Sequence, residues 1–379
     1  MIRKDILEEV IESQRKWILN LNQGIKRDDL EVININKNFA LVISGIRRCG
    51  KSTFLSQILK KQKDFFYLNL EDPRLEGFDL KDFEKSNKIF NEKYGKQGIY
   101  FFDEIQNVPG WEKYIRFLTD RDKKILITGS NASLLGRELG TKLTGRHLRK
   151  ELFPFSYNEF LKFNKLQNNE KSYEKYLFEG GFPEYLKNSD PTILHELLND
   201  IVMRDIAVRF DIKNTSLLKK IAIFLITNPG KEFSYNSIKK SFEVKSVQTV
   251  INYISYFEDS YLLFTLPRFN YSYKKQQVSP KKIYSIDNGL SNANSVSFSK
   301  DKGKMLENQV FLSLRKTHFE IFYFKEKREC DFIIKEKNKI KTAIQVCYEL
   351  NEENPERETN GLLEALEKFG LKKGLILTF

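Results

Sequence analysis

Apolar residues in the first 150 positions follow two alternating rhythms. Continuous runs at 39–43, 65–70, 98–104 and 124–131 read as buried strands. Between them, apolar positions recur every three or four residues, as in 53–60, which is the period of a helix. Strand and helix in strict alternation predict a parallel sheet covered by helices. Ahead of it, residues 5–22 read as an amphipathic helix with Ile6, Val10, Trp17 and Leu21 on one side. After it, 151–210 is mostly helical, and the turn Gly180-Gly181-Phe182-Pro183-Glu184 anchors or hinges a small helical lid.

The rhythm then changes. Helices are predicted at 217–226, at 237–242 and from Ser246, where Val247, Val250, Ile251, Ile254 and Phe257 share a face. Strands at 261–266 and 282–286 follow, joined by a basic loop, and this order describes a winged helix-turn-helix. Lys245, Gln248, Thr249, Asn252 and Tyr253 remain for a DNA major groove, and Lys274, Lys275 and Lys281 fall on the wing. Winged helices also serve as protein-packing modules. The last stretch reads as helix, three strands, helix and strand, the order of a restriction-endonuclease core. Metal-dependent cleavage there needs an acid on the helix, an acid at the second strand and [DE]xK on the third. Glu307 and Asp331 fit the first two places, but the third reads Gln345-Val346-Cys347, with amide for acid and thiol for lysine. The domain is therefore an active nuclease or a degenerate, structural or DNA-binding version of it.

The expected fold class is α/β. A parallel-sheet domain is followed by a helical lid, a winged helix-turn-helix and a C-terminal α/β restriction-endonuclease-like domain. The predicted boundaries are 1–36, 37–150, 151–210, 211–295 and 296–379.

Composition narrows the setting. Lys and Arg exceed Asp and Glu by 64 to 51, for a net charge of +13, which favours a polyanionic partner such as DNA or reflects a lysine-rich genome. Three cysteines, Cys49, Cys330 and Cys347, form no CxxC pair, and His147, His195 and His318 are scattered, so neither a disulfide framework nor a zinc site is expected. The N-terminus is charged from the start and no apolar run is long enough to span a bilayer, so a soluble, cytoplasmic protein without a membrane partner is expected.

The chemistry concentrates in 45–53. Gly45-Ile46-Arg47-Arg48-Cys49-Gly50-Lys51-Ser52-Thr53 fits GxxxxGK[ST] between a strand and a helix, which makes the parallel-sheet domain an expected P-loop ATPase domain, and its backbone amides would cradle the phosphates of ATP. Lys51 would reach the β- and γ-phosphates and Ser52 would join the shell of a bound Mg²⁺. The strand at 98–104 ends in Asp103, which would hold the same Mg²⁺, and Glu104, which would deprotonate the attacking water. At the end of the 124–131 strand, Ser130 or Asn131 senses the γ-phosphate or caps a helix. Arg146 would complete the site, in cis or from a neighbouring chain, or is a surface arginine; Arg204 is a second choice.

The segments GIRRCGKST (45–53), FFDEIQNVPGW (101–111), ITGSN (127–131), LTGR (143–146), GGFPEYL (180–186) and RDIAVR (204–209) resemble a family of prokaryotic AAA-type ATPases. Members carry a C-terminal restriction-endonuclease-like domain, and CDFII (330–334) and AIQVCYEL (343–350) are similar to its tail. The resemblance implies an ATPase with Mg²⁺ as cofactor, with Lys51, Ser52, Asp103 and Glu104 in the matching places. The function expected is Mg²⁺-dependent ATP hydrolysis acting on or with DNA, with homo-oligomers possible. Two alternatives stand beside it: an ATP-dependent signalling switch with protein partners, and an ATP-driven nuclease.

Overall fold

Runs of four or five apolar residues need cover on both faces. In the computed structural model they line up as a parallel sheet. Its strands are β1 (Ala40–Ser44), β2 (Phe65–Asn69), β3 (Ile99–Asp103), β4 (Lys124–Gly129) and β5 (His147–Glu151), in the order β2-β3-β4-β1-β5. The structure describes residues 1–31, 33–35, 39–130, 146–296, 301–317, 320–350 and 355–379. They divide into two compact units, Met1–Leu166 and Gln167–Phe379. The predicted helical lid, 151–210, spans that boundary: helix Tyr157–Asn164 belongs to the first unit and the helices from Glu170 onward to the second.

In the first unit Val42, Leu68, Phe102 and Ile127, from four neighbouring strands, pack on helices Lys4–Asn20, Leu80–Tyr94 and Trp111–Thr119. The N-terminal helix is part of this core, but its buried stripe is Leu7, Val10, Ile11, Gln14 and Ile18. Trp17, expected on the inner face, is 48% exposed. The i, i+3, i+4, i+7 set through Leu7 is the wider apolar stripe, and it wins over the set through Ile6. β5 was not expected. Its residues are mostly charged and half-buried or exposed because, among the described residues, it is an edge strand paired to β1 only.

The second unit begins with helices Glu170–Glu179, Pro183–Asn188 and Thr192–Asp200, the last continuing into a π-helical turn, Ile201–Val208. Helices Thr215–Ile226, Tyr235–Ser241 and Val247–Asp259 follow, then β7 (Leu263–Pro267) and β8 (Lys281–Ser285), which pair antiparallel. A short β6 (Glu232–Phe233) completes this sheet in the order β6-β8-β7. Two expectations are corrected here, and a third feature is new. The β7–β8 connection holds a helix, Tyr273–Val278, with no buried residue, rather than a plain loop. Tyr253 faces inward, leaving Lys245, Gln248 and Asn252 exposed. Lys282 is buried. Beyond these lie helix Lys302–Lys316, strands β9 (Glu320–Lys325), β10 (Glu329–Glu336) and β11 (Lys339–Val346), helix Pro355–Phe369 and β12 (Leu375–Leu377). β9, β10 and β11 are antiparallel neighbours, and β12 runs parallel to β11.

The Gly180-Gly181 turn is clasped by Asp287, as an anchor would be. Gly180 has φ +69°, and a Cβ there would lie 2.2 Å from Asp287 Oδ1. Gly181 N–H donates to Asp287 Oδ2 (2.7 Å), and Asp287 also caps helix Asn288–Ala293 by accepting from Leu290 N–H (2.9 Å). Burial pushes the Asp287 carboxyl up to about 6, with the backbone donors opposing. Gly180→Ala combines backbone strain with a steric clash, and an expected cost of about 2–5 kcal/mol follows. Gly370, at φ +62° with nothing within 4 Å, supplies the control. Denaturant unfolding should show Gly180→Ala far more destabilised than Gly370→Ala; equal effects contradict the clasp.

Candidate active site

In the order β2-β3-β4-β1-β5, β4 lies between the strand that feeds the glycine loop and the strand that ends in Asp103. The end of β4 can therefore touch the β3 acids, and Thr128 does. Its hydroxyl donates to Asp103 Oδ1 and accepts from Glu104 N–H (3.1 Å).

The loop from 45 to 50 is shaped by its two glycines. A Cβ on Gly45 would lie 2.1 Å from the Leu152 carbonyl oxygen. Gly50, with φ +98°, precedes helix Lys51–Leu59, whose first-turn amides have no acceptor within the helix and make an anion site. Ile46 and Cys49 turn their side chains into the core, so any phosphate contact from them is through the backbone. Arg47 reaches Glu71 at 3.6 Å, and Arg48 takes a left-handed backbone at φ +61°. Thr53 is half-buried on the first helical turn.

Lys51, Ser52, Asp103 and Glu104 come together as expected from their spacing. Lys51 Nζ donates to the carbonyl oxygens of Gly45 (3.0 Å) and Ile46 (3.2 Å) and lies 3.7 Å from Glu104 Oε1. Ser52 Oγ lies 3.4 Å from Asp103 Oδ2, which also accepts from Tyr67 Oη (3.1 Å). A hydroxyl beside a buried carboxylate is a hard-oxygen donor set suited to Mg²⁺. Burial, followed by the adjacent Glu104 charge, pushes the Asp103 carboxyl up to about 6.

Glu104 is differently placed. Burial alone would raise its carboxyl, but Lys51 and hydrogen bonds from Gln106 and Ser130 outweigh it and hold it below the ordinary value. Its Oε2 accepts from Gln106 Nε2 and from Ser130 N–H (3.2 Å), and its backbone sits at φ +50°. A glutamate in left-handed backbone is uncommon, and strain of this kind persists where surrounding bonds impose it. Gln106 Nε2 also reaches Ser130 Oγ at 3.4 Å. Ser130 therefore orients Glu104, a role neither of its expected readings contained. Asn131 lies outside the described residues.

Arg146 does not complete the site of its own chain. The parallel register pairs Ala40 with His147, which places Arg146 beside the start of β1, and the glycine loop follows its end. Its guanidinium pairs with Asp120 on the surface. Arg204, in the second unit, lies 3.4 Å from Asp200 one helical turn away.

Sequence reasoning missed Arg27. It is 4% exposed, and its Nε donates to Glu159 Oε1 (2.8 Å), Nη1 to the Cys49 carbonyl (3.0 Å) and Nη2 to the Phe153 carbonyl (2.7 Å). Gln106 was within view, two residues after Glu104, and Thr128 one residue before Gly129. Nothing local marked Arg27.

The acids expected in the C-terminal domain also meet, with an unexpected companion. Lys282 Nζ, from β8, lies 2.9 Å from Glu307 Oε1, 2.9 Å from Asp331 Oδ1 and 2.8 Å from Glu329 Oε1. Gln345 Oε1 accepts from Asp331 N–H at 3.4 Å, and the Cys347 thiol points instead to the Glu349 carbonyl at 2.9 Å. Among the described residues no group of three or more His, Cys, Asp or Glu is arranged to hold a metal ion, and no helix is long and apolar enough to cross a membrane.

A family model described as an AAA domain matches residues 37–161, and one described as a domain of unknown function (DUF8612) matches 170–301. The uncharacterized protein MJ1544 of Methanocaldococcus jannaschii is 41% identical over 398 residues, covering 98% of this chain and 88% of that protein. An uncharacterized protein of Haemophilus influenzae is 32% identical, covering 89% of each. Among solved structures, the Aeropyrum pernix ORC1 protein in complex with DNA covers 74% of this chain and 96% of its own, at 13% identity and a TM-score of 0.32. A similarity that low carries no functional argument.

Proposed function

We propose that this chain, which belongs to the protein family of MJ1544 and carries an AAA domain, is a cytoplasmic Mg²⁺-dependent ATPase that works with DNA. One observation carries the ATPase reading: Lys51, Ser52, Asp103 and Glu104 converge, and Glu104 is held by Gln106 and Ser130 with its carboxyl kept ionised. Lys51 exchanges the carbonyls of Gly45 and Ile46 for the β- and γ-phosphates of ATP. Ser52 and Asp103 would hold Mg²⁺, which would neutralise phosphate charge when bound. Glu104 accepts the proton of the attacking water. Gln106 and Ser130 keep its carboxylate in place, and Arg146 is left to serve a neighbouring chain's site in a homo-oligomer.

The DNA reading rests on the second unit. Helices Thr215–Ile226, Tyr235–Ser241 and Val247–Asp259 followed by the β7–β8 hairpin have the order of a winged helix. On the third helix the Gln248 and Asn252 amides lie side by side, 2.9 Å apart, and Lys245, just ahead of that helix, is exposed. Amides of this kind read adenine edges. The wing adds Lys274 and Lys275 with Tyr271 and Tyr273, both tyrosines more than 70% exposed. The element order from Lys302 to Leu377 supports a restriction-endonuclease-like domain without supplying its third-strand acid and lysine.

Duplex binding measured by fluorescence anisotropy at several salt concentrations tests the DNA half. Affinity should fall steeply with salt, by a log–log slope of about one per phosphate contact, and Lys274→Ala with Lys275→Ala should lower both affinity and slope. Absent or salt-indifferent binding removes DNA and favours the switch with protein partners.

A further inference from the structure

A restriction-endonuclease-like domain implies a divalent cation between its carboxylates. The residues at that place do not fit one. Lys282 is 1% exposed, and its three ammonium protons match three carboxylates at 2.8–2.9 Å, from Glu307, Glu329 and Asp331. A divalent ion coordinated by the same oxygens would sit about 2.0–2.6 Å from each, on the point the nitrogen occupies.

The ammonium is also fixed from behind. The Lys282 backbone is paired on both sides, with Glu232 of β6 and Leu266 of β7. Each of the three carboxylates has a further donor. Tyr284 Oη donates to Glu307 Oε1 (2.7 Å), Val346 N–H to Asp331 Oδ2 (2.9 Å), and Lys325 Nζ lies 3.0 Å from Glu329 Oε2. Gly230 closes the other side of Glu307: a Cβ there would lie 2.5 Å from Oε2. Gln345 of β11 and Cys347 just past its end add no oxyanion.

We propose that the Lys282 ammonium is the resident cation of this centre, standing where a nuclease holds its metal. The wild-type domain takes up no divalent ion there and cleaves no phosphodiester through it. The three carboxylates instead tie β8 of the β6-β8-β7 sheet to β10 and to helix Lys302–Lys316. Withdrawing the ammonium turns the same oxygens into a divalent-cation site. The inference stands on this geometry and is independent of ATP hydrolysis in the first unit.

Terbium luminescence of the full chain without nucleotide, excited through Tyr284 and Tyr323 beside the centre, tests it. Wild type should show no emission that Asp331→Asn removes. Lys282→Met should gain saturable emission, lost again when Asp331→Asn is added. Emission from wild type that Asp331→Asn abolishes overturns the proposal. So does a Lys282→Met protein that keeps its circular dichroism yet gains no terbium. Should Lys282→Met not fold, Mg²⁺-dependent plasmid nicking decides: nicking by wild type that Asp331→Asn abolishes overturns the proposal, and equal traces from both proteins support it.

Discussion

Glu104→Gln is expected to bind ATP with near-wild-type affinity and to hydrolyse it about 10²–10⁴-fold more slowly, the usual loss when a general base is removed. The substitution changes little else. Glutamine keeps the length of the side chain, and its carbonyl oxygen can still accept from Ser130 N–H. Asp103 and Ser52, which would hold the Mg²⁺, are untouched, and Lys51 keeps its carbonyl partners. The loss should therefore fall on turnover and leave the binding isotherm in place. Single-turnover hydrolysis beside equilibrium nucleotide binding separates the two. A variant that hydrolyses normally means the base is another group, and one that fails to bind means Glu104 has a structural part in the loop.

Arg27→Leu should destabilise the first unit by about 3–5 kcal/mol, the range for leaving a buried charge without its partner. The side chains of Arg27 and Glu159 are 5% and 4% exposed, and Glu159 also accepts from Asp28 N–H and Ser156 N–H, each at 2.8 Å. Removing the guanidinium strands that carboxylate and releases the carbonyls of Cys49 and Phe153. Because Cys49 belongs to the phosphate loop, nucleotide affinity should fall along with stability. The cycle with Glu159→Leu isolates the pair: the double variant should be less destabilised than the sum of the singles. Strict additivity, measured by denaturant unfolding, would show that the two side chains do not act together.

Whether an element was legible depended on how local its cause is. β1 to β4 announce themselves because strands buried on both faces have to be apolar throughout. The glycine loop is legible because its glycines answer local needs, a close carbonyl at Gly45 and a positive φ at Gly50. β5 hid behind its own composition, His147-Leu148-Arg149-Lys150-Glu151, since an edge strand has no need of an apolar face. Ser130 was singled out for its place, but its bond to Glu104 went unseen, because a backbone N–H donor leaves no mark on residue type.

Lys282 is the clearest case of a cause the sequence does not carry locally. At the start of the predicted 282–286 strand it reads as one more lysine beside a basic connection, yet its partners lie 25 and 49 residues onward at Glu307 and Asp331. Only the fold brings them together. Arg27 is alike, 132 residues from Glu159. The motif GGFPEYL was visible, but its reason, the Asp287 carboxylate against Gly180, lies 106 residues from Gly181.

Steady-state ATP hydrolysis with Mg²⁺, comparing the wild-type chain with Lys51→Ala and Glu104→Gln, bears most directly on the central claim. The geometry around Lys51, Asp103 and Glu104 predicts Mg²⁺-dependent turnover in the wild type, with both variants at background. Phosphate release that is absent from the wild type, or equal in all three proteins, would contradict an ATPase built on these residues.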